Sequence, residues 1–429
     1  MLLSLNYGRS ELALEIPEKN LLAYRRPHFP DANATSDHQK ILLGAINEFG
    51  ILRISPIFAG RQVGVIIEDT THTEVLAIML PFLRSARFVQ FLITPEGHNL
   101  NSASAQLIID ALHAMIADFD FPDYDIHAND RETAEFVEIG KTARGTPVQV
   151  HEHSAKCDIF LAIADLQNHE FCGYSTPLQN FLPGLCSLET LTRHESLACD
   201  ERANIGQHVW HPDSQRRHNP LADDAWEGVQ MLLRRRPVLA LTVISSHGQL
   251  HWAKIGAMIE VTRAGIEKVD SLMRCTLPPA DYLIISPGGY PDDESFYTAQ
   301  RALTMAKNAI AANGEILFLA LCENGIGSQH FHDALTKPLA ETLKRLENND
   351  KLEAYRVYQF AQMIQPLRAI HVYSSLPNAS ITAMHLHACA DPQTLVTQWL
   401  AKNPEAQINV VDGARQLAIY AAQTSGDTI

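Results

Sequence analysis

Apolar and polar residues alternate in LLSLNYG at the start of the chain and again in LALEIP. The turn Gly8-Arg9-Ser10-Glu11 separates the two runs, a spacing that predicts a β-hairpin. A polar, proline-rich loop through residues 27–36 follows, and then the period changes. Residues 61–68 (RQVGVIIE) form a short β-branched run followed by an apolar pattern over 74–85 that fits a helix. The same scheme recurs in the strand 88–93 and the helix 102–118. Residues 157–163 and 238–243 read as further buried strands, and 251–257 as a strand after the turn Ser245-Ser246-His247-Gly248. A second run of this kind comprises strand 281–285, a helix over 294–312, strand 315–321, helix 335–348, strand 368–373, helix 391–402 and strand 407–411. Strands alternating with helices predict an α/β fold of two domains with parallel or mixed sheets and a cleft between them. The boundary is placed to give domains 1–272 and 273–429.

Composition narrows the function. The 429 residues carry 34 Lys+Arg against 49 Asp+Glu, a formal net charge of −15. An acidic surface of this kind has no general attraction for phosphate backbones or anionic lipid, so neither a nucleic acid nor a membrane is expected as partner. No apolar stretch approaches the roughly 20 residues that span a bilayer. The first residues lack the basic and apolar regions of a signal peptide. Seven cysteines, an odd set with no C-x-x-C, indicate neither a disulfide framework nor a thiolate zinc site, and a reducing cytoplasm suits them.

In α/β sheets ligands collect at the carboxyl ends of strands. Three loops there carry polar groups: Asp69-Thr70-Thr71-His72, Thr94-Pro95-Glu96-Gly97-His98, and Asn168-His169 running on to Cys172-Gly173-Tyr174-Ser175. Two histidines, His98 and His169, thus follow two strands of one sheet, and imidazole both accepts and donates a proton near neutral pH. The chain has 20 histidines, and any one taken alone is more simply a surface or structural residue. No G-x-G-x-x-G, Walker loop, H-E-x-x-H or G-x-S-x-G is present. His151-Glu152-His153 projects both imidazoles to one face if it lies on a strand, and is read as a solvated edge without a role. His208, His211 and His218 are read as part of an exposed loop.

Taken in order, these landmarks resemble one family. The opening hairpin through LALEIP, DTT at 69–71, GH at 97–98, NHEFCGYS at 168–175, LPG at 182–184, NPLADD at 219–224 and GGYP at 288–291 are similar in order and spacing to the lactate racemases that depend on a nickel pincer nucleotide, and to their 2-hydroxy-acid racemase and epimerase relatives. The resemblance implies that a nickel held by a pyridinium bisthiocarboxylate mononucleotide accepts a hydride from C2 of the hydroxy acid. Two histidines, at the positions of His98 and His169, then carry the hydroxyl proton on the two faces of the keto intermediate. It also implies cofactor contacts at Asp69, Thr71, Ser175 and the position of Gln179, metal ligation near His194 and Glu195, and substrate contacts at His72, Tyr297, Thr298, Arg301 and Tyr355.

The departures fall where the family holds its cofactor and its anion. The lysine that tethers the nucleotide is replaced by Gln179, whose amide cannot make that link. Glu195 aligns with the metal-binding histidine, and His194 precedes it by one residue, a rotation of roughly 100° on a helix. His72 stands where the family has an arginine suited to forked carboxylate recognition. Two readings follow. One is a racemase or epimerase of a 2-hydroxy acid, a sugar acid being one candidate, with the nucleotide held non-covalently. The other is a paralogue that has lost the cofactor and binds a small anion or nucleotide without turnover. A third, metal-assisted proton transfer by the paired histidines, ranks below both.

Overall fold

The computed structural model describes residues 1–29, 36–95, 100, 102–117, 120–234, 236–346 and 354–422. The chain divides into two compact units. One is built from Met1–His28 together with Asp270–Ile429, the other from Phe29–Val269.

The first residues form the expected hairpin of β1 (Leu2–Tyr7) and β2 (Ser10–Glu15), followed by β3 (Leu21–Arg25). The intervening unit contains β4 (Gln62–Glu68), β5 (Phe88–Thr94), β6 (Tyr124–Ala128), β7 (Phe136–Lys141), β8 (Pro147–His151), β9 (Ile159–Asp165), β10 (Gln167–His169), β11 (Gly173–Ser175), β12 (Val238–Ser246) and β13 (Gln249–Ala257). Six of these make one sheet in the order β13-β12-β9-β4-β5-β6, parallel throughout except for β13. A parallel strand covered on both faces reads as a continuous apolar run, and Val63–Ile67 is buried on both sides. Val63, Val65 and Ile67 face the helices Thr73–Leu83 and Ser102–Ala117, whereas Ile66, Phe160 and Ala162 pack with Ala225 and Val229 of helix Pro220–Leu233.

The other unit carries β14 (Arg274–Leu277), β15 (Ala280–Ile285), β16 (Ile310–Leu319), β17 (Ala369–Tyr373), β18 (His387–Ala388), β19 (Ile408–Val411) and β20 (Ala418–Ala421). Its main sheet is wholly parallel, in the order β18-β17-β16-β15-β19-β3.

The expected boundary at 272 lies close to the division at Asp270, and what differs from the expected 1–272 domain is the allegiance of its first residues. Residues 1–28 belong with the later unit because β3 lies beside β19, and helix Met258–Met273 carries the chain across the division. A strand whose partner lies at the far end of the chain leaves no local mark of its allegiance. The helix expected over 294–312 is also corrected. It is two short helices, Phe296–Ala299 and Arg301–Ala306, and the chain is extended from Ile310. Alanine-rich propensity is overridden by tertiary bonds. Asn409 Nδ2 donates to Ala309 O at 2.8 Å, and Asn308 Nδ2 to Ile419 O at 2.9 Å, which holds this stretch out of the helix. The helix expected over 335–348 is Leu339–Leu346, beginning after Pro338 and preceded by a separate helix Gln329–Leu335, while residues 347–348 lie outside the described residues.

Candidate active site

The strand order of the intervening unit marks where a candidate site is sought. From β4 the chain moves outward through β5 and β6, then returns to lay β9 on the other side of β4. Ligands in such sheets bind beyond the carboxyl ends of the strands at this reversal of order. At that point β4 runs into Asp69-Thr70-Thr71-His72, and β9 into β10, which ends at His169. Two sequence-predicted groups therefore meet at one edge. His98 lies outside the described residues.

Asp69 is buried, and its backbone N–H donates to Thr94 O at 2.9 Å. Thr71 closes the turn, its Oγ1 accepting from the N–H of Glu68 at 3.0 Å. The stretch around His169, expected as a loop, is a small hairpin of β10 and β11 with Ser175 opposite Gln167. Gly173 sits in it at φ +79, and a Cβ there would stand 1.8 Å from Gln207 O. Only glycine fits that approach. His169 Nδ1 accepts from the backbone N–H groups of Phe171 at 3.4 Å and Cys172 at 3.3 Å, and lies 3.4 Å from Glu170 Oε2. Two backbone donors on Nδ1 place the proton of the neutral ring on Nε2.

The tether position has a structural job. Gln179 Oε1 accepts from the N–H of Thr176 at 2.8 Å and from its hydroxyl at 2.6 Å, forming a capping box at the start of helix Pro177–Phe181.

His194 and Glu195 are neighbours on helix Leu188–Glu195, and both are buried. They serve different environments, as the rotation between adjacent helical residues requires. His194 Nδ1 lies 2.8 Å from Asp224 Oδ2, and Asp224 also accepts from the hydroxyls of Thr142 at 2.5 Å and Thr146 at 2.9 Å. Burial pushes the Asp224 carboxyl up, but hydrogen bonds from His194, Thr142 and Thr146 outweigh it and hold it below the usual carboxylate range. An ionised Asp224 accepts a hydrogen bond from Nδ1–H, which in the neutral ring leaves Nε2 with a lone pair. That Nε2 is buried and has no hydrogen-bond partner among the described residues. An imidazole held by a carboxylate through one nitrogen is the arrangement of a metal-bound histidine.

Glu195 instead lies in the field of Arg131, as does Asp69. Burial lowers the Arg131 guanidinium from its ordinary value while Cys186, Glu195 and Asp69 oppose that shift. Arg131 Nε donates to Cys186 O at 3.1 Å, and its Nη2 to Pro183 O at 3.2 Å. The sequence reading missed Arg131 because it comes from a loop without a motif. Asp224 belongs to the NPLADD run, and an acidic residue near a helix start is its one signal in the sequence.

His151-Glu152-His153 is not a continuous strand edge. β8 ends at His151, Glu152–Ala155 is a helical turn, and His153 stacks on His127 with ring centroids 3.6 Å apart. No group of three or more His, Cys, Asp or Glu is arranged to hold a metal among the described residues. His208 and His211 are buried rather than exposed, with His208 Nδ1 accepting from Trp210 N–H at 3.1 Å.

In the other unit, Tyr297, Thr298 and Arg301 lie on the two short helices after Gly288-Gly289-Tyr290-Pro291. Ser295 caps the first, accepting from Thr298 N–H at 3.2 Å and donating to Thr298 Oγ1 at 3.0 Å. Tyr355 is buried on helix Ala354–Ile364. The guanidinium of Arg356 lies 5.1 Å from the centroid of the Tyr297 ring and 5.5 Å from that of Tyr355, so a cation absent from the sequence reading links two predicted substrate residues.

Two α/β units, one with polar and imidazole groups at its sheet reversal, define the class. Residues 7–206 match the lactate racemase N-terminal domain, and residues 276–415 the lactate racemase C-terminal domain. The chain belongs to the lactate racemase family. It is 23% identical over 337 residues to the lactate racemase of Thermoanaerobacterium thermosaccharolyticum, covering 76% of each chain. It is 22% identical over 267 residues to that of Lactiplantibacillus plantarum, covering 59% of this chain and 60% of the relative. Among solved structures, the lactate racemase apoprotein of T. thermosaccharolyticum superposes with a TM-score of 0.79 at 19% identity, over 99% of this chain and 100% of that one. A Thermotoga maritima protein gives a TM-score of 0.63 at 13% identity, over 92% and 100%.

Proposed function

We propose that this protein is a racemase or epimerase of a 2-hydroxy acid that uses a non-covalently held nickel pincer nucleotide. The observation that carries the reading is His169, held through Nδ1 by two backbone N–H groups at the edge where β4 and β9 end. Its Nε2 is the nitrogen that exchanges a proton with the substrate hydroxyl, and His98 is assigned the same task on the opposite face. The nucleotide, when bound, supplies the hydride acceptor at C2. His194 fits the group as a donor, since Asp224 holds Nδ1 and Nε2 has no partner among the described residues. Asp69, Thr71, Ser175 and Gln179 are assigned to cradle the nucleotide, with Glu195, which lies in the field of Arg131, the alternative oxygen donor to His194. On the substrate side, His72, Tyr297, Thr298, Arg301 and Tyr355 are assigned to the hydroxy acid.

One observation favours a second reading. Gln179 spends its carbonyl oxygen on a helix cap, so the tether position is built into the fold as a structural residue. A paralogue that binds a small anion or nucleotide without turnover accounts for that directly. Native mass spectrometry with metal analysis, on protein co-expressed with the enzymes that make the nucleotide, separates the two. Stoichiometric nickel, a nucleotide-sized non-covalent adduct and exchange of the substrate C2 hydrogen support the enzyme. Nickel appearing only on Gln179→Lys, with no exchange by the parent, overturns it in favour of the binding role.

A further inference from the structure

Three side chains at the carboxyl edge of the intervening sheet are hydrogen bonded in a line. Asp165 ends β9, Ser245 lies near the end of β12, and His72 follows the turn after β4. The Ser245 N–H donates to Asp165 Oδ1 at 3.1 Å, and the Ser245 hydroxyl donates to Asp165 Oδ2. Gln167 Nε2 donates to the same Oδ2 at 3.1 Å, so both carboxylate oxygens act as acceptors. His72 Nε2 lies 3.3 Å from Ser245 Oγ. A serine hydroxyl has one hydrogen. With that hydrogen given to Asp165, its oxygen can only accept from His72, which puts the imidazole proton on Nε2 and the lone pair on Nδ1. Nδ1 makes no hydrogen bond among the described residues, and His72 is half-buried.

We propose that Asp165 and Ser245 are positioning residues that fix this tautomer, and that His72 Nδ1 accepts a hydrogen bond from a ligand hydroxyl in addition to the reacting one. This rests on the hydroxy-acid reading above and narrows it to acids bearing at least two hydroxyls. The surrounding charge argues the same way. Asp165 stands behind Ser245, and Glu74, bonded by His38 at 2.9 Å, is in the field of His72. Two carboxylates disfavour a third at this point, whereas a neutral hydroxyl meets a lone pair. A site built to pair a hydroxyl discriminates strongly against an analogue that lacks one, because its own polar atom is then left unpaired.

Glycerate and lactate differ by one hydroxyl and make the test. With ring-15N histidine labelling, the neutral His72 ring should give an acceptor-type Nδ1 signal, and Ser245→Ala should mix the two tautomers. Calorimetry on protein co-expressed with the cofactor pathway should show glycerate bound at least tenfold more tightly than lactate. The ratio should fall toward one in Ser245→Ala and recover in Ser245→Thr. A proton on Nδ1, or equal affinity for the two acids in the parent, overturns the hydroxyl-reading role while leaving a hydroxy-acid site intact. Binding of neither acid overturns the hydroxy-acid reading and this proposal with it.

Discussion

His194 Nδ1 and Asp224 Oδ2 lie 2.8 Å apart, with side chains 1% and 0% exposed. The pair joins helix Leu188–Glu195 to helix Pro220–Leu233, and Thr142 and Thr146 complete the carboxylate's shell. Removing one partner of a buried pair leaves the other's desolvation uncompensated. Asp224→Ala should therefore cost about 3–5 kcal/mol in urea unfolding. Asp224→Asn, which keeps the shape, should cost less. If the protein carries nickel through His194, the asparagine variant should lose about 10–100-fold in metal affinity, read by competition with a chelator.

The close approach at Gly173 gives a sharper contrast. Gly173 and Gly248 both have positive φ, +79 and +77, but an added Cβ meets Gln207 O at 1.8 Å in the first and nothing within 4 Å in the second. Gly248→Ala should lose about 1–2 kcal/mol, the cost of a left-handed alanine. Gly173→Ala should lose far more and fail to give soluble protein, because the obstacle is backbone. Soluble yield and thermal midpoints of the two variants decide it.

Buried imidazoles set the acid side of the stability curve. Burial lowers His151 to about 4 and His208 to about 3, from 6.5. The unfolded chain binds protons at these sites as pH falls below about 6.5, while the folded chain does not. Stability is then whole above pH about 6.5, falls by roughly 1.4 kcal/mol per pH unit for each ring, and levels off near 4 for His151 and near 3 for His208. Between pH 7.5 and 5 each should remove about 2 kcal/mol, visible as a falling urea midpoint. His151→Asn, which keeps an acceptor for the His153 N–H, should flatten the slope.

Much of this was legible locally. The runs that became β4, β5, β9 and β12 are buried on both faces, so their apolar character is continuous and their ends are marked by Asp69, Thr94, Asp165 and Ser245. His72 and His169 could be named because they follow such ends. What escaped depends on pairs distant in the chain. Asp224 matters through His194, Arg131 through Glu195 and Asp69, and Arg356 through Tyr297. No spacing rule reports a partner contributed by another element. The same holds for residues 307–312, whose helical composition yields to bonds from Asn308 and Asn409.

The capping box at Gln179 makes a further prediction. Thr176→Ala and Gln179→Ala should each cost about 1 kcal/mol by chemical denaturation. Gln179→Lys should lose part of the same sum, since an ammonium cannot accept from the Thr176 N–H. Thr176→Ser should be close to neutral, which separates the cap from simple loss of side-chain bulk.

The later unit is discontinuous in the chain, with β3 pairing with β19 and Gly8 N–H donating to Asp293 at 2.7 Å. During synthesis, residues 1–28 are made before Phe29–Val269 and must wait for partners made after it. The intervening unit, Phe29–Val269, meets all its strand partners well before that. It is placed to fold while the leading hairpin still exposes Leu3, Leu5, Leu14 and Ile16, which are buried in the finished molecule. Expression of a fragment starting at Asp270 would strand β19 at an open sheet edge, a template for unwanted pairing. Supplying residues 1–28 in trans would then act as a missing edge strand, so the two stretches of this unit are joined by assembly rather than by sequence.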